Sequence, residues 1–472
     1  MAKILLVRTS MVSEVNPCVS HPLGILYLAA VLARKSHRVK IHDLRVEPGG
    51  IPGLLRVADS FQPDVIGLSS LTVESPQMNE VARRLKARAP GRPILAGGPH
   101  ATSYPERVLD NPDVDVAVIG EAERTILELM PSLEQGVVPA GVLGTGTRVN
   151  GERRINPRQP PIEDLDGLPF PAWDHLNLPG YSRRKSMSTL NPRPYMTLFT
   201  SRACPYQCIY CHHVFGKGFR ARSPENVLEE METLIRDYGI RDFELVDDIF
   251  NLNRLRAQKI CDLILQRGLK VNLAFPTALR ADLLTPDLIR SLRRAGTVSS
   301  AFAIETASPR LQQLVRKNLD LEKAREAINY ASEIGIVTTG FFMLGFPTET
   351  REEVLETIRF ASALKLHTAQ FFIVTPFLGT EMAELFREKY KGLQVEFSDY
   401  DYNKGTYNLS EVETAELYRL QRYANLKFYF HPSRVLRIFK GYPNKRLLAR
   451  RFFKMVQLKI LTGRRGSFVE PA

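Results

Sequence analysis

Thr200 to His213 reads "TSRACPYQCIYCHH" and places three of the chain's five cysteines within eight residues, directly after the apolar run "YMTLFTS". From that run onward, strand-like and helix-like segments alternate. "YMTLFTS", "DFELVDD", "VNLAFPTAL", "SSAFAIET", "VTTGFFMLGFP" and "AQFFIVTPF" read as six strands, separated by amphipathic stretches such as "SPENVLEEMETLIRDYG" and "TREEVLETIRFASALK". Apolar runs of strand length, each followed by a helix, form parallel βαβ units. The repeats predict a partial (β/α)6 barrel over residues 191–390, and in such barrels the chemistry sits on the loops that follow the strands. The cysteine trio occupies the first of those loops.

Cys204, Cys208 and Cys211 are spaced C-x3-C-x2-C. Such a loop fits zinc, with His212 or His213 as a fourth ligand to close a structural site. It fits a [4Fe-4S] cluster equally well, with three thiolates bound and one iron left open, because Cys18 and Cys261 are remote in sequence. Spacing leaves both open. The barrel favours the cluster, since an open iron at its mouth is placed for chemistry and a closed zinc knuckle is not.

Toward the N-terminus the same alternation gives a different architecture. "KILLVRT", "RVKIHDL", "DVIGLSS", "RPILAGG" and "DVAVIGE" are strand candidates rich in Val, Ile and Leu, as strands buried on both faces must be, and helical stretches such as "LGILYLAAVLARK" separate them. They predict an α/β, doubly wound parallel sheet over residues 1–140, whose ligand lies beyond the carboxyl ends of the strands. The residues there are small or polar: Ser69, Ser70 and Thr72; Gly97, Gly98 and His100; Gly120 and Glu121. Glycines at such ends let a large flat ligand approach the backbone, although tight turns after buried strands use them as well. No G-x-G-x-x-G follows the first strand, which argues against a dinucleotide site. A Pro-rich connector, "INPRQPPIEDLDGLPFPAWDHLNLPGY", reads as an extended linker within residues 141–190.

The chain has 472 residues, 44% hydrophobic and 24% charged, enough for two or three domains with substantial cores. It contains no uncharged apolar run of about 18 residues and begins on a strand-like pattern, so a cytoplasmic protein is expected. The net charge of +13 is concentrated: Gln421 to Ala472 hold 13 Lys and Arg against one acid, Glu470, and the other 420 residues are nearly neutral. Within the C-terminal region 391–472, Leu447, Leu448, Phe452, Phe453, Met455, Val456, Ile460 and Leu461 interleave with Lys and Arg at helical spacing. A basic helical segment of this kind suits peripheral contact with an anionic membrane surface. It also suits a cap packed on the barrel with a solvated outer face. A nucleic acid fits less well, because aliphatic residues outnumber stacking aromatics.

"CPYQCIYC" after a strand at the head of a six-unit partial barrel resembles the radical S-adenosylmethionine enzymes. With "LSSLT", "GGPHAT" and "GEAE" in the first domain, and "LVDDIF", "AIET", "FFMLGFPTET" and "TPFLGTEM" in the second, residues 1–390 resemble the cobalamin-dependent branch of that superfamily. That branch includes class B methylases, the anaerobic magnesium-protoporphyrin ester cyclase and hopanoid methylases. The resemblance implies a Rossmann-like cobalamin-binding domain contacted by Ser69, Ser70, Thr72, Gly97, Gly98, His100, Gly120 and Glu121. It implies a [4Fe-4S] cluster on Cys204, Cys208 and Cys211 with S-adenosylmethionine chelating the open iron. Asp247, Asp248 and Glu305 are then candidate partners of that cationic cosubstrate, with helix capping or salt bridging as their ordinary alternative. Reductive cleavage, fed by an electron donor such as flavodoxin or ferredoxin, gives a 5'-deoxyadenosyl radical that abstracts hydrogen from an unactivated carbon. Methylcobalamin then supplies a methyl group to a small-molecule, lipid-like or secondary-metabolite substrate. Cyclisation, coupling or rearrangement without net methyl transfer is the alternative within the class, and a zinc-stabilised corrinoid carrier or sensor the alternative outside it. No Asp-x-His-x-x-Gly motif is present, so cobalt is expected to lack a protein histidine. The Thr9–His21 loop is expected near its lower face, and His100 at the cofactor's periphery.

Overall fold

The computed structural model describes residues 1–10, 18–188, 194–377, 379–389 and 407–441. The chain divides into two compact units, Met1–Ser186 with His213–Arg222, and Met187–His212 with Ser223–Ala472.

In the first unit a seven-stranded sheet holds β1 (Lys3–Arg8), β2 (Arg38–Asp43), β3 (Val65–Ser69), β4 (Ile94–Gly97), β5 (Val116–Val118), β6 (Thr145–Val149) and β7 (Glu152–Ile155) in the order 2-1-3-4-5-6-7. The first five are parallel, as the βαβ rhythm predicts. Alternation along β1 shows how both faces are covered. Leu5 and Val7 join the helices Gly50–Phe61 and Ser75–Arg88 in one core. Ile4 and Leu6 join the helices Leu23–Arg34 and Ala122–Leu133 in the other. Successive side chains on a strand point to opposite faces, so one apolar run serves two layers. The order reverses between β1 and β3, and that switch point is where doubly wound sheets open a crevice.

Two strands are absent from the sequence reading. β6 and β7 form an antiparallel hairpin on the β5 edge, inside the segment expected to be a connector. They are short and polar, with Arg148, Arg153 and Arg154 among their residues, so no apolar run announces them. The signal was the turn: Asn150 and Gly151 both have positive φ, 51° and 84°, as an Asn-Gly hairpin turn requires. The Pro-rich stretch that follows is largely irregular, yet it buries Ile162, Leu165, Trp173 and Tyr181, and the Tyr181 hydroxyl donates to Asp43 at 2.5 Å. Residues His213–Arg222 also belong to this unit. Arg220 is their anchor: its guanidinium donates to both oxygens of Glu121, at 3.0 and 2.5 Å, and to the Ile162 carbonyl at 2.8 Å.

In the second unit β8 (Tyr195–Leu198), β9 (Asp242–Leu245), β10 (Asn272–Leu279), β11 (Thr297–Glu305), β12 (Val337–Leu344) and β13 (Thr368–Ile373) form one parallel sheet in sequential order. This is the expected six-strand partial barrel. Its helices start where the sequence says they should. The side chains of Ser223, Asn253, Thr285, Ser308, Asp320 and Thr350 each accept a backbone N–H from the first turn, satisfying donors that a helix cannot satisfy itself. Helices Thr414–Tyr429 and Pro432–Gly441 follow. Most of the basic segment, residues 442–472, lies outside the described residues, as do residues 11–17 of the first loop. Among the described residues no helix is long and apolar enough to cross a membrane.

Because Arg220 and Glu121 are almost fully buried as a pair, Arg220→Ala strands a carboxylate in the interior. The expected loss is about 3–5 kcal/mol, read as a lowered midpoint for the first unit in chemical denaturation.

Candidate functional site

The loop after β8 is held from below by a buried carboxylate. Asp247, just past β9, accepts the backbone N–H of Thr200 at 2.6 Å and of Ser201 at 3.1 Å, and the Thr200 hydroxyl. Arg256 donates to the Thr200 carbonyl at 2.6 Å and supplies the opposing charge. Both oxygens of Asp247 are thus engaged with the loop's root, a task that the sequence does not reveal. Its neighbour Asp248 accepts the Ala203 N–H at 3.1 Å. Ala203 takes a left-handed φ of 68°, strained for a residue with a side chain, immediately before Cys204.

The three thiols follow. All are free, and each of Cys204 and Cys211 lies within electrostatic range of the other two cysteines and of Asp248 and Lys317. The stretch between Cys208 and Cys211 is pinned. Ile209 sits in a hydrophobic cluster with Leu311, Val315, Phe346, Val374 and Met382, and its N–H bonds the Val315 carbonyl at 3.2 Å. The Cys208 thiol contacts the Arg316 carbonyl at 3.7 Å. Burial, followed by the charge of Cys208, pushes the Cys211 thiol up to about 12, so a bound metal has to displace that proton.

Around the thiols stand Glu305 and Asp248, which the sequence reading singled out, and Tyr210, Lys317 and Arg280, which it missed. Tyr210 is buried among Glu305, Cys208 and Cys211, its ring 5.8 Å from that of Phe346. Its place between the second and third cysteines was the available signal. Glu305 ends β11 with a left-handed φ of 68° and faces Lys317 at 3.5 Å. A buried, strained acidic residue at a strand end is the kind of outlier that marks functional sites. Lys317 lies in a tight loop between Arg316 and Asn318, both of positive φ. Arg280 covers the Tyr206 ring at 3.8 Å and donates to the Lys317 and Asn318 carbonyls. Burial, and then the charge of Asp247, raises Asp248 to about 6, and burial raises Glu305 as well. Desolvated carboxylates beside a cluster of thiols would be relieved by a cationic ligand.

Among the described residues no three His, Cys, Asp or Glu side chains converge as a single metal ion would require. A cubane binds each thiolate at a different iron, so its ligands stand further apart than those sharing one ion. His212 lies 5.5 Å, ring to ring, from Phe377, and His213 belongs to the first unit.

In the first unit the strand ends form a backbone cradle. Gly98 has φ 85°, and a Cβ there would stand 2.8 Å from Ser69 Oγ and 3.3 Å from the Ser70 carbonyl. Gly120, φ 79°, donates to Thr102 Oγ1 at 3.0 Å, and its would-be Cβ meets nothing within 4 Å. Gly97 ends β4 without a close neighbour. Ser69 offers its carbonyl to the Thr9 N–H at 3.1 Å, across the switch point. Ser70 is buried and bonds the Leu71 carbonyl, and Thr72 begins a single turn closed by Glu74 on the Leu71 N–H. Glu121 is committed to Arg220. His100 is buried, its N–H on the Ser70 carbonyl and its imidazole driven down to about 4 by burial. His21 is clasped between Tyr181, stacked at 4.5 Å, and the edge of Trp173, and burial drives it to about 3. Gly120 leaves open space on the sheet's carboxyl edge, as a flat ligand there requires, while Gly98 is needed for the close approach of Ser69, and both histidines are tied up inside the protein.

Comparison with known proteins agrees with this division. The B12 binding domain model matches residues 12–130 and the Radical SAM superfamily model matches residues 198–361. The chain is 32% identical to an uncharacterized methyltransferase of Pyrococcus horikoshii over 91% of this chain and 93% of that one. It is 30% identical to cytidylyl-2-hydroxyethylphosphonate methyltransferase of Streptomyces wedmorensis over 85% of each. Its fold is similar to that of OxsB, a cobalamin-dependent S-adenosylmethionine radical enzyme solved with aqua-cobalamin and S-adenosylmethionine bound, with TM-score 0.75, 18% identity, and coverage of 97% of this chain and 71% of that one. The cofactors are therefore cobalamin, a [4Fe-4S] cluster and S-adenosylmethionine. With His21 and His100 enclosed, Co(II) cobalamin in this protein is expected to show no superhyperfine splitting from a protein imidazole in its electron paramagnetic resonance spectrum, read with histidine labelled by nitrogen-15. Splitting from a protein imidazole would contradict the placement of these histidines.

Proposed function

The chain belongs to the cobalamin-dependent radical S-adenosylmethionine enzymes, and we propose that within that family it is a C-methyltransferase acting on an unactivated carbon of a small-molecule substrate. The observation that supports this most is the braced loop of three free thiols with the carboxylates of Asp248 and Glu305 beside it. When bound, the cofactors supply a reducing electron, a 5'-deoxyadenosyl radical and a methyl group. The chain's own residues do the rest. Cys204, Cys208 and Cys211 hold the cluster, and Asp247 with Arg256 fixes the root of their loop. Asp248 and Glu305 face the positive charge of S-adenosylmethionine, with Lys317 balancing Glu305. Phe346, fully buried, and the partly buried Tyr210 pack behind the loop. Ser69, Ser70, Thr72, Gly97, Gly98, His100 and Gly120 form the cobalamin cradle, and Glu121 holds it together through Arg220. The methyltransferase names of the two relatives support methyl transfer over cyclisation.

A lipid-like or secondary-metabolite substrate is the class we infer, supported by the basic C-terminal region, which we read as a peripheral contact with the cytoplasmic face of a membrane. Flavodoxin or ferredoxin is the inferred electron donor.

Anaerobically reconstituted protein is expected to carry about four irons and four sulfides. Replacing any one of Cys204, Cys208 or Cys211 by Ala is expected to abolish 5'-deoxyadenosine formation, while Cys18→Ala and Cys261→Ala leave it intact. Residual cleavage of S-adenosylmethionine by the triple variant would remove these cysteines from the mechanism.

Methyl transfer is tested separately, by mass spectrometry of extracts from cells with and without the protein. A metabolite that gains one methyl group, labelled when methyl-labelled methionine is fed, is the expected result. A product that carries no label from the methyl group would favour cyclisation, coupling or rearrangement.

A further inference from the structure

Helix Pro432–Gly441 is built inside out. Its inward stripe is Arg434, Arg437, Ile438 and Gly441, at the i, i+3, i+4, i+7 spacing of one helical face. Arg434 is 3% exposed, its guanidinium lies 3.9 Å from the Phe428 ring, and it donates to the carbonyls of Ser362 and Leu364 at 2.8 Å and to that of Leu366. These carbonyls follow the end of the helix Arg351–Ala363, where acceptors are left without intrahelical partners. Arg437 adds a bond to Leu366. At Gly441 even a Cβ would strike His367, at 2.5 Å from its Nε2. The arginines are therefore the structural side of this helix.

The apolar residues point the other way. Val435, Leu436 and Phe439 are 49%, 53% and 55% exposed, and Phe430, just before the helix, is 60% exposed. Clustered apolar exposure of this kind marks an interaction surface. The surroundings indicate what kind. From Leu417 to Gly441 there are six Lys and Arg and no Asp or Glu. Residues 442–472, the chain's own candidate to cover the face, carry eight more bases and one acid. A second copy of the chain or its own C-terminal segment would stack like charges over the patch, whereas an anionic surface neutralises them.

We propose that the outward face of this helix, with Phe430, is the docking surface for an anionic lipid bilayer. The apolar side chains enter the acyl boundary, while Arg422, Lys427 and Lys440 meet the headgroups. The inference rests on the membrane reading of the C-terminal region and assigns its contact to particular residues.

Co-sedimentation of the full-length, cofactor-loaded protein with phosphatidylcholine vesicles, with and without phosphatidylglycerol, tests it. Wild type is expected to bind the anionic vesicles at low salt and to release as salt rises. The combined variant V435S/L436S is expected to bind at least about tenfold more weakly, with iron and cobalt content and melting temperature unchanged because both side chains are about half exposed. R422Q/K427Q/K440Q is expected to lose the preference for phosphatidylglycerol. If wild type binds anionic vesicles and the serine variant binds equally well, the docking face is wrong and the membrane reading stands. If wild type ignores the vesicles, both fall. Binding to duplex DNA or RNA that outcompetes the vesicles and survives the serine substitutions would assign the basic helices to nucleic acid instead and overturn the proposal.

Discussion

The buried carboxylate of Asp247 is the constraint on which the site depends. A charged group with no access to water is tolerated only when its acceptor capacity is filled and a counter-charge stands near. Asp247 meets both conditions by gripping Thr200 and Ser201, with Arg256 beside it. The consequence is geometric. The chain leaving β8 cannot relax into an ordinary turn. It passes through a left-handed alanine and delivers Cys204, Cys208 and Cys211 on a loop fixed at its root. Ile209, locked in an apolar cluster between the last two cysteines, fixes it again near its end.

That rigidity matters because a cluster with an open iron needs its thiolates pre-positioned and its surroundings tuned, while the reactive chemistry belongs to the cofactor. Here the tuning groups come from loops after different strands: Asp248 after β9, Arg280 after β10, Glu305 and Lys317 after β11. Each is held by a backbone N–H, backbone carbonyls, a ring face or an ion pair, so the charges around the thiols are set before any ligand arrives. The first unit uses the complementary strategy. At its strand ends Gly98 makes room for Ser69, Gly120 faces open space, and the histidines are enclosed.

The C-terminal helices invert the usual rule that polar residues face water. Arg434 is buried because the end of a neighbouring helix and the residues after it offer three carbonyls close together, and a guanidinium can serve several at once. With Arg434 and Arg437 on the inward stripe beside Ile438, Val435, Leu436 and Phe439 are left on the outward side. The basic amphipathic pattern was visible in the sequence, but which of its two faces would turn toward the barrel was not.

Much was legible in the residues themselves. The two parallel sheets, all six barrel strands and five of the seven strands of the first sheet follow from apolar runs at strand length, because strands buried on both faces must be continuously apolar. The cysteine trio was legible because thiolate ligation demands fixed spacing. The hairpin β6–β7 was not, since polar edge strands have no such pattern and only Asn150-Gly151 marked it. Nor were the tasks of the carboxylates. Asp247 and Asp248 are adjacent in sequence, yet one secures the loop from inside the fold and the other keeps an oxygen free of backbone donors beside the thiols. Glu121, at a strand end like the glycines, turned inward to Arg220, 99 residues away. Composition and periodicity act over a few residues and so determined the elements and the motif. Which buried charge finds which partner is decided only when distant segments meet, and that belonged to the tertiary structure.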